Sequence, residues 1–247
     1  MKTRNIANPA RRTFLGAAGV GAAAIALAGL PLTSRGASAK TKIGIIGSGR
    51  IGGTLGGLWA EAGHEVMFSS LDIEHDKALA AKHGPNARAG TSREAVAFGD
   101  VVLMAVPYGA LPQIGKDHAR ELKGKVVIDA CNPFVGRDGD IAKWAREKGA
   151  GTASAELLPG ARIVRAFNAV GAGRLPEIAK NKGERTGMPI AGDDAKAIET
   201  ASRLVRDVGF EPVLVGPLAM GKHLIPGTPL AGEHTPEEIR KIAKTLR

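Results

Sequence analysis

A glycine-rich turn directly after a short apolar run constrains the fold of this chain more than any other feature. The segment KIGIIGSGRIGG places glycines at 47, 49 and 52, between a run typical of a β-strand and one of helical period. Gly47 suits a tight turn, Gly52 lets the new helix pack closely, and Gly49 leaves the backbone open to a pyrophosphate. The helix N-terminus then offers free N–H groups to that anion. The alternative is a glycine-rich turn that only packs, but the strand before it and the helix after it favour a dinucleotide site.

Short apolar runs alternate with amphipathic segments along the rest of the chain, which is typical of parallel strands joined by crossover helices. Strands are predicted at 42–46, 65–68, 101–105, 126–130, 162–165, 188–191 and 212–215, and helices at 51–62, 74–82, 93–97, 111–122, 140–148 and 194–208. We therefore predict an α/β fold with a doubly wound parallel sheet of the Rossmann type. Residues 40–154 are predicted to form the dinucleotide-binding domain, 155–220 a small C-terminal lobe, and 221–247 a surface tail.

The first 39 residues have a composition of their own. They carry five positive charges and no acid around an apolar stretch at 14–30. Ala37-Ser38-Ala39 gives the small-x-small pattern of a cleavage site, and the pair Arg11-Arg12 ahead of Phe14 resembles a twin-arginine signal. We expect cleavage after Ala39, export of the folded protein by the twin-arginine machinery to the periplasm or cell exterior, and no membrane anchor afterwards. An uncleaved anchor is the alternative, since the stretch is near the lower length limit for a span.

Charge and cysteine content exclude several classes of function. Residues 1–39 supply half of the net charge of +10, and no basic run is interleaved with aromatic residues, so we expect no nucleic-acid partner. Cys131 is the only cysteine, which rules out an intrachain disulfide and a cysteine-cluster metal site.

Two serines end the second predicted strand, where NAD-binding folds place an acid that hydrogen-bonds the ribose 2′-hydroxyl. The hydroxyls of Ser69 and Ser70 can donate to a 2′-phosphate, and Lys77 and His75 follow closely enough to bring positive charge near it. This chemistry favours NADP over NAD. Asp72 could instead be the acid of an NAD site, and His75 could be a solvated helix residue.

Seven segments carry a family resemblance, in matching order from about residue 42 to residue 230. They are IGIIGSGRIGGTL, AGHEV, FSS, VVLMAVPYGALP, VVIDACNPF, IVRAFNAVGAGRL and PIAGDDAKA. The chain resembles the NADPH:deazaflavin-coenzyme (F420) oxidoreductases and their relatives, which pass a hydride between NADP and the 5-deazaflavin coenzyme F420.

The resemblance implies a set of binding residues in five loops. It implies nucleotide contacts from Ser48, Gly49, Arg50, Ile51, Ser70 and Lys77, nicotinamide contacts from Ala105, Val106, Pro107, Tyr108, Asn132 and Pro133, and second-substrate contacts from Asn168 and Val170. Tyr108 could equally be a packing residue at a helix start. The relatives commonly have Arg directly after the second serine, where this chain has Leu71. That departure weakens the NADP assignment unless Arg50 or Lys77 supplies the charge.

The same segments make chemical sense as a hydride-transfer cleft. The runs VVLMAVP and VVIDACNP are predicted buried strands, so their loops emerge at the edge where parallel sheets bind ligands. Transfer between two planar rings requires stacking, distance and dryness more than an acid or a base. We find no nucleophile elbow and no paired histidines with ligand spacing, and Asp193-Asp194 is typical of a helix cap. We predict no catalytic side chain and no metal.

These observations predict an NADP-dependent oxidoreductase that exchanges a hydride with a deazaflavin or flavin-like acceptor, its small-molecule partner. Ferric iron or an imine is the second class of acceptor. The competing class is an exported, non-catalytic nucleotide-binding protein, because the export compartment has no ready supply of NADPH. The oligomeric state stays open, and a homodimer is compatible with the sequence.

Overall fold

The structure, a computed structural model of the chain, describes residues 40–181 and 183–246. The predicted signal segment 1–39 lies outside the described residues. All described residues belong to one compact unit.

Eight strands and ten α-helices alternate along this unit. The strands are β1 (Lys42–Ile46), β2 (Glu65–Ser69), β3 (Ala87–Ala89), β4 (Val101–Met104), β5 (Val126–Asp129), β6 (Arg162–Arg165), β7 (Gly187–Gly192) and β8 (Glu211–Gly216). The helices are α1 (Arg50–Glu61), α2 (Ile73–His83), α3 (Ser92–Phe98), α4 (Leu111–Asp117), α5 (Ala119–Leu122), α6 (Val135–Lys148), α7 (Ala150–Leu157), α8 (Leu175–Ala179), α9 (Ala195–Asp207) and α10 (Pro236–Thr245).

The strands form one sheet in the order β3-β2-β1-β4-β5-β6-β7-β8. Strands β1 to β6 run parallel to one another, β7 runs antiparallel to β6, and β8 is parallel to β7. The predicted doubly wound α/β fold is confirmed. After β1 the chain first builds β2 and β3 on one side and then returns to place β4 on the other, so the strand order reverses between β1 and β4.

Helices cover both faces of the sheet because successive side chains of a strand point to opposite faces. Ile43 and Ile45 of β1 pack in one core with Trp59 of α1 and Leu204 of α9. Ile46 lies in the second core, with side chains of α3, α4, α6 and α7. Both faces of β1 are therefore buried, as in parallel sheets generally.

The predicted C-terminal lobe at 155–220 is wrong as a separate unit. β6 pairs with β5 along its full length, and β7 and β8 continue the same sheet. Val164 and Met188 from this region pack in the same core as Ile43. The sheet is continuous because β6 is as apolar in its centre as the strands before it.

The predicted surface tail at 221–247 is also wrong. Leu224, Leu230 and Ile239 are buried against Val213 and Val215 of β8. Helix α10, which the sequence analysis missed, begins at a capping box between Thr235 and Glu238. Its apolar side covers the outer end of the sheet, so the tail completes the core of the fold.

No helix among residues 40–181 and 183–246 is long and apolar enough to cross a membrane.

Gly44 in the middle of β1 provides a test of this packing. A Cβ at this position would lie 2.0 Å from the backbone carbonyl oxygen of Ala95 in α3. Because that oxygen belongs to the backbone of the fully buried Ala95, Gly44→Ala should lower the free energy of unfolding by about 1–3 kcal/mol. Urea denaturation followed by circular dichroism measures the change.

Gly136→Ala is the matched control. Gly136 is exposed near the start of α6, and a Cβ there would meet no atom within 4 Å. This variant should be as stable as the wild type or more stable by up to about 1 kcal/mol, since alanine favours a helix. Equal stability of the two variants would contradict the packing of α3 on β1.

Candidate functional site

The loops that follow β1, β4, β5 and β6 meet at one edge of the sheet, beside the point where the strand order reverses. A cavity of about 560 Å³ opens there, which we call the main cleft. It is lined by Arg50, Ile51, Ala105, Val106, Pro107, Ala130, Asn132, Phe134, Arg137, Asn168, Ala169, Val170, Gly171, Ala172, Pro226, Gly227, Ala231 and Gly232. Ligands of open parallel sheets bind at such a switch point.

The structure brings together residues that the sequence analysis selected from four separate segments. The predicted site residues that line the main cleft are Arg50, Ile51, Ala105, Val106, Pro107, Asn132, Asn168 and Val170. Most of the lining side chains are apolar, with a small number of polar groups, as is usual for a cofactor site.

Each glycine of the turn has a distinct geometry. Gly47 has φ +94°, and a Cβ there would lie 2.5 Å from the carbonyl oxygen of Ala105. A Cβ on Gly52 would lie 2.1 Å from the carbonyl oxygen of Gly47, so the helix packs directly on the turn. A Cβ on Gly49 would meet no atom within 4 Å. These geometries agree with the predicted roles of Gly47 and Gly52, and they leave open space in front of Gly49.

Helix α1 begins at this open space without a side-chain cap. Its N-cap residue is Gly49, so no side chain hydrogen-bonds the first N–H groups of the helix. The first turn contains no acidic residue. Side chains of Asp72, Thr91, Asp194 and Thr235 cap α2, α3, α9 and α10, whereas α4 to α8 begin without a side-chain cap, as α1 does. The first N–H groups of a helix have no partner within it and attract an anion. The start of α1 can therefore hold a phosphate.

A second cavity of about 590 Å³, which we call the helix groove, lies on the other side of this turn. Its lining residues are Ser48, Gly49, Arg50, Gly53, Thr54, Leu58, Glu61, His75, Leu79, Lys82, His83, Pro176 and Lys180. Arg50 lines both cavities, so the start of α1 connects them.

A buried ion pair forms the floor beneath the main cleft. The Arg165 guanidinium donates to Asp129 at 2.6 Å, and both side chains are fully buried. The same guanidinium donates to the carbonyl of Cys131 at 3.0 Å, and the Asp129 carboxylate accepts the Cys131 N–H at 2.8 Å. These contacts hold the loop after β5 and with it Asn132. Burial raises the pKa of the Cys131 thiol, which fits a packing role for the cysteine.

Asn168 presents an unused hydrogen-bond acceptor beside the cleft. Its Oδ1 is buried and has no hydrogen-bond partner among the described residues, while its carbonyl accepts from Asn132 Nδ2 at 2.9 Å. Phe167, just before it, is the one non-glycine residue of the described chain with positive φ, at 64°. Its ring is held edge-on between Trp59 and Phe210. The ring packing therefore maintains a strained backbone that orients Asn168, as is frequent in functional sites.

Arg137 and Phe134 at the cleft rim were missed by the sequence analysis. The Arg137 guanidinium lies 5.1 Å from the centre of the Phe134 ring and donates to the carbonyl of Asn132 at 3.0 Å. Asp138 accepts from the same guanidinium at 2.8 Å. Burial acts to raise the pKa of Asp138, but hydrogen bonds from Arg137 and from two backbone N–H groups hold that pKa below its usual value. Arg137 therefore provides a fixed positive charge at the rim.

The C-terminal segment closes one side of the cleft, which a surface tail would not do. Pro226, Gly227, Ala231 and Gly232 belong to the lining. The Gly232 N–H donates to the carbonyl of Ala169 at 2.9 Å, which attaches the segment to the loop after β6. No local sequence signal predicts this contact, because it joins residues far apart in the chain.

Ser69, the last residue of β2, and Ser70, which follows it, lie outside the main cleft and are already hydrogen-bonded. Ser69 is buried, and its hydroxyl donates a hydrogen bond to the carbonyl of Ile45 at 2.6 Å. The predicted contact between Ser69 and a ligand is therefore not available. Ser70 is exposed, and its hydroxyl lies 3.0 Å from both oxygens of Asp76. Asp72 caps α2 through its side chain. The acid beside the serines is thus Asp76, which the sequence analysis did not single out.

Three further predicted site residues do not face the main cleft. Lys77 is exposed and its ammonium is paired with Glu74 at 2.8 Å. Tyr108 is fully buried, and its hydroxyl donates to the carbonyl of Ala150 at 3.0 Å. Burial raises the Tyr108 pKa, so the packing alternative holds for this residue. Pro133 is buried, and its carbonyl accepts from Arg146.

Comparison with known proteins agrees with this geometry. Residues 42–133 match the family model described as NADP oxidoreductase, coenzyme F420-dependent. The resemblance predicted from the sequence is confirmed. The matched region contains the glycine turn, the end of β2 and the two loops after β4 and β5.

Two curated relatives extend the likeness beyond this region. The F420-dependent NADP reductase of Methanothermobacter thermautotrophicus is 29% identical over 205 residues, which cover 76% of this chain and 87% of the reductase. The metalloreductase STEAP3 of Rattus norvegicus is 28% identical over 186 residues, which cover 74% of this chain. The chain spans only about a third (35%) of the length of that metalloreductase.

A solved structure shares the fold over most of the chain. A hypothetical protein from Sinorhizobium meliloti superimposes with a TM-score of 0.66 and 26% identity, covering 79% of this chain and 95% of that protein.

Proposed function

We propose that this chain is an NADP-dependent oxidoreductase that transfers a hydride between NADP(H) and a deazaflavin or flavin-like acceptor. The observation that carries the proposal is the junction of an uncapped helix N-terminus at Gly49 with a mostly apolar cleft at the switch point. The family match and the reductase from Methanothermobacter thermautotrophicus support it.

The residues present fit a bound dinucleotide. A pyrophosphate fits the open space at Gly49, against the N–H groups of Arg50 and Ile51. The nicotinamide ring then extends into the main cleft, where Val106 and Pro107 provide an apolar wall. Asn168 Oδ1, which has no partner within the described chain, can accept from an amide N–H of a ring substituent.

A bound dihydronicotinamide would supply the hydride, and a proton from solvent would balance the reduction of the acceptor. The chain holds the two rings in contact, keeps water away with apolar walls, and places charge at the rim through Arg50 and Arg137. The titratable side chains of the cleft lining are these two arginines. Neither serves as a general acid near neutral pH, because a guanidinium does not release its proton. This lining fits positioned hydride transfer.

Ferric iron and imines are the second class of acceptor, and the likeness to the rat metalloreductase favours iron within that class. The competing function is an exported nucleotide-binding protein without catalysis. The signal segment predicted at 1–39 favours it, because cofactor carried out in the folded protein would not exchange easily. Both functions require a bound nucleotide, so the first prediction below tests the site that they share, and the second separates them.

The first prediction concerns nucleotide binding. Gly49→Val places a branched side chain where the pyrophosphate would lie, and its Cβ would meet no atom of the protein within 4 Å. The variant should keep the wild-type unfolding midpoint and lose at least about 100-fold in affinity for NADP(H). Isothermal calorimetry and thermal unfolding measure the two quantities.

Gly47→Ala is the contrasting variant, because its φ of +94° and its contact with Ala105 make any side chain strained. It should unfold at a clearly lower temperature than Gly49→Val. Unchanged NADP(H) affinity in Gly49→Val would rule out the glycine turn as the phosphate site.

The second prediction concerns catalysis. Wild-type protein with NADPH should reduce the deazaflavin coenzyme without added metal, and deuterium should leave from one face of the labelled nicotinamide. Two rings fixed in one orientation present a single prochiral hydrogen to the acceptor. Val106→Trp fills the cleft and should lower kcat at least about tenfold, with a smaller effect on the Kd of NADPH.

Leu214→Trp is the control, because Leu214 is an exposed side chain of β8 outside both cavities. It should leave the rate unchanged. If NADPH binds but deazaflavin, flavin, ferric chelates and cyclic imines all remain oxidised, the catalytic proposal fails and the binding protein becomes the better account.

A further inference from the structure

A buried carboxylate lies at the end of β2, and the proposed hydride transfer does not use it. Asp76 is fully buried in the first turns of α2. It accepts hydrogen bonds from the hydroxyls of Ser48 and Ser70. The N-terminal end of α2 favours negative charge at this position as well. The two serines therefore direct their hydroxyl protons toward the buried carboxylate of Asp76.

This arrangement decides what Ser70 can offer to a ligand. A serine hydroxyl has one proton and two lone pairs. The carbonyl of Asp72 lies 3.1 Å from Ser70 Oγ, but the carboxylate of Asp76 at 3.0 Å is the stronger acceptor for the proton. One lone pair accepts the Asp72 N–H at 3.1 Å. The exposed side chain of Ser70 is left with one lone pair, which makes it an acceptor.

An acceptor at this position suits one form of the dinucleotide better than the other. The residue at the end of the second strand faces the adenosine ribose in folds of this type. A ribose 2′-hydroxyl can donate a hydrogen bond to Ser70. An ionised 2′-phosphate has acceptor oxygens only, and it would also approach the carboxylate of Asp76 behind the serine.

The neighbouring residues do not offset this preference. The Lys77 ammonium is paired with Glu74 on the exposed side of α2, and His75 Nε2 lies 3.2 Å from the carbonyl of Ser48. Leu71, directly after Ser70, is fully exposed and uncharged. Its apolar side chain can pack on an adenine ring, but it cannot pair with a phosphate.

We propose that Asp76 is a specificity-determining residue. Through Ser70 it turns this end of the site toward an unphosphorylated ribose, so that the chain binds NAD(H) nearly as well as NADP(H). The inference rests on the proposed nucleotide site and adds its selectivity.

The test compares the dissociation constants of NAD⁺ and NADP⁺ by calorimetry for the wild type and for Asp76→Asn. An asparagine removes the charge and can donate to Ser70, which frees the serine proton for a 2′-phosphate. We expect a wild-type preference for NADP⁺ of less than tenfold. We expect Asp76→Asn to raise the ratio of NADP⁺ affinity to NAD⁺ affinity at least fivefold.

Asp140→Asn is the matched control, since Asp140 is an exposed acid of α6 outside both cavities. It should leave the ratio within twofold of the wild type. Thermal unfolding verifies that each variant is folded. If Asp76→Asn does not fold, Ser70→Ala takes its place because Ser70 is exposed. Ser70→Ala should weaken NAD⁺ binding at least threefold and leave NADP⁺ binding within twofold.

A wild-type preference for NADP⁺ of tenfold or more overturns the inference. So does a rise smaller than fivefold in Asp76→Asn, or equal losses for both dinucleotides in Ser70→Ala. These outcomes leave the proposed function intact. If neither dinucleotide binds to the wild type, the proposed function fails together with the inference.

Discussion

The ion pair between Asp129 and Arg165 holds the loops on which the candidate site is built. It joins the last residues of β5 and β6, and both side chains are fully buried. Removing one partner of such a pair leaves an uncompensated buried charge, which is strongly destabilising. Gly151 and Gly221 make room for the Arg165 side chain. A Cβ on Gly151 would lie 3.1 Å from Arg165 Cδ, and a Cβ on Gly221 would lie 2.5 Å from it. The same guanidinium fixes the Cys131 carbonyl, so the position of Asn132 in the cleft depends on this pair.

The three parts of the candidate site arise from different physical constraints. The phosphate end depends on backbone geometry at Gly47 and Gly49, and it requires no charged side chain. The ring end depends on long-range packing, in which the strained backbone at Phe167 and the C-terminal segment at Gly232 hold Asn168 and the cleft wall in place. In the proposed site, Asp76 lies at the adenosine end, where it accepts a hydrogen bond from Ser70.

The sequence predicts the local parts of this structure and misses the parts that depend on distant contacts. The glycine spacing and the alternating runs locate β1, α1 and the switch point, because turn geometry and strand period are local properties. Ser69 was expected to face a ligand, but its hydroxyl bonds to Ile45 on the neighbouring strand, which depends on strand register. Asp76 and Arg137 look like ordinary charged helix residues in the sequence. The covering of the cleft by residues 226–232 depends on the hydrogen bond from the Gly232 N–H to the Ala169 carbonyl, which joins residues far apart in the chain.

A crystal structure of the chain grown with NADP⁺ tests the central claim most directly, namely that one dinucleotide connects the start of α1 to the main cleft. The account predicts pyrophosphate density beside the backbone of Gly49 and Arg50, and the nicotinamide ring between Val106 and Asn168. Density for the dinucleotide at another edge of the sheet, or a ring placed outside the main cleft, would contradict it.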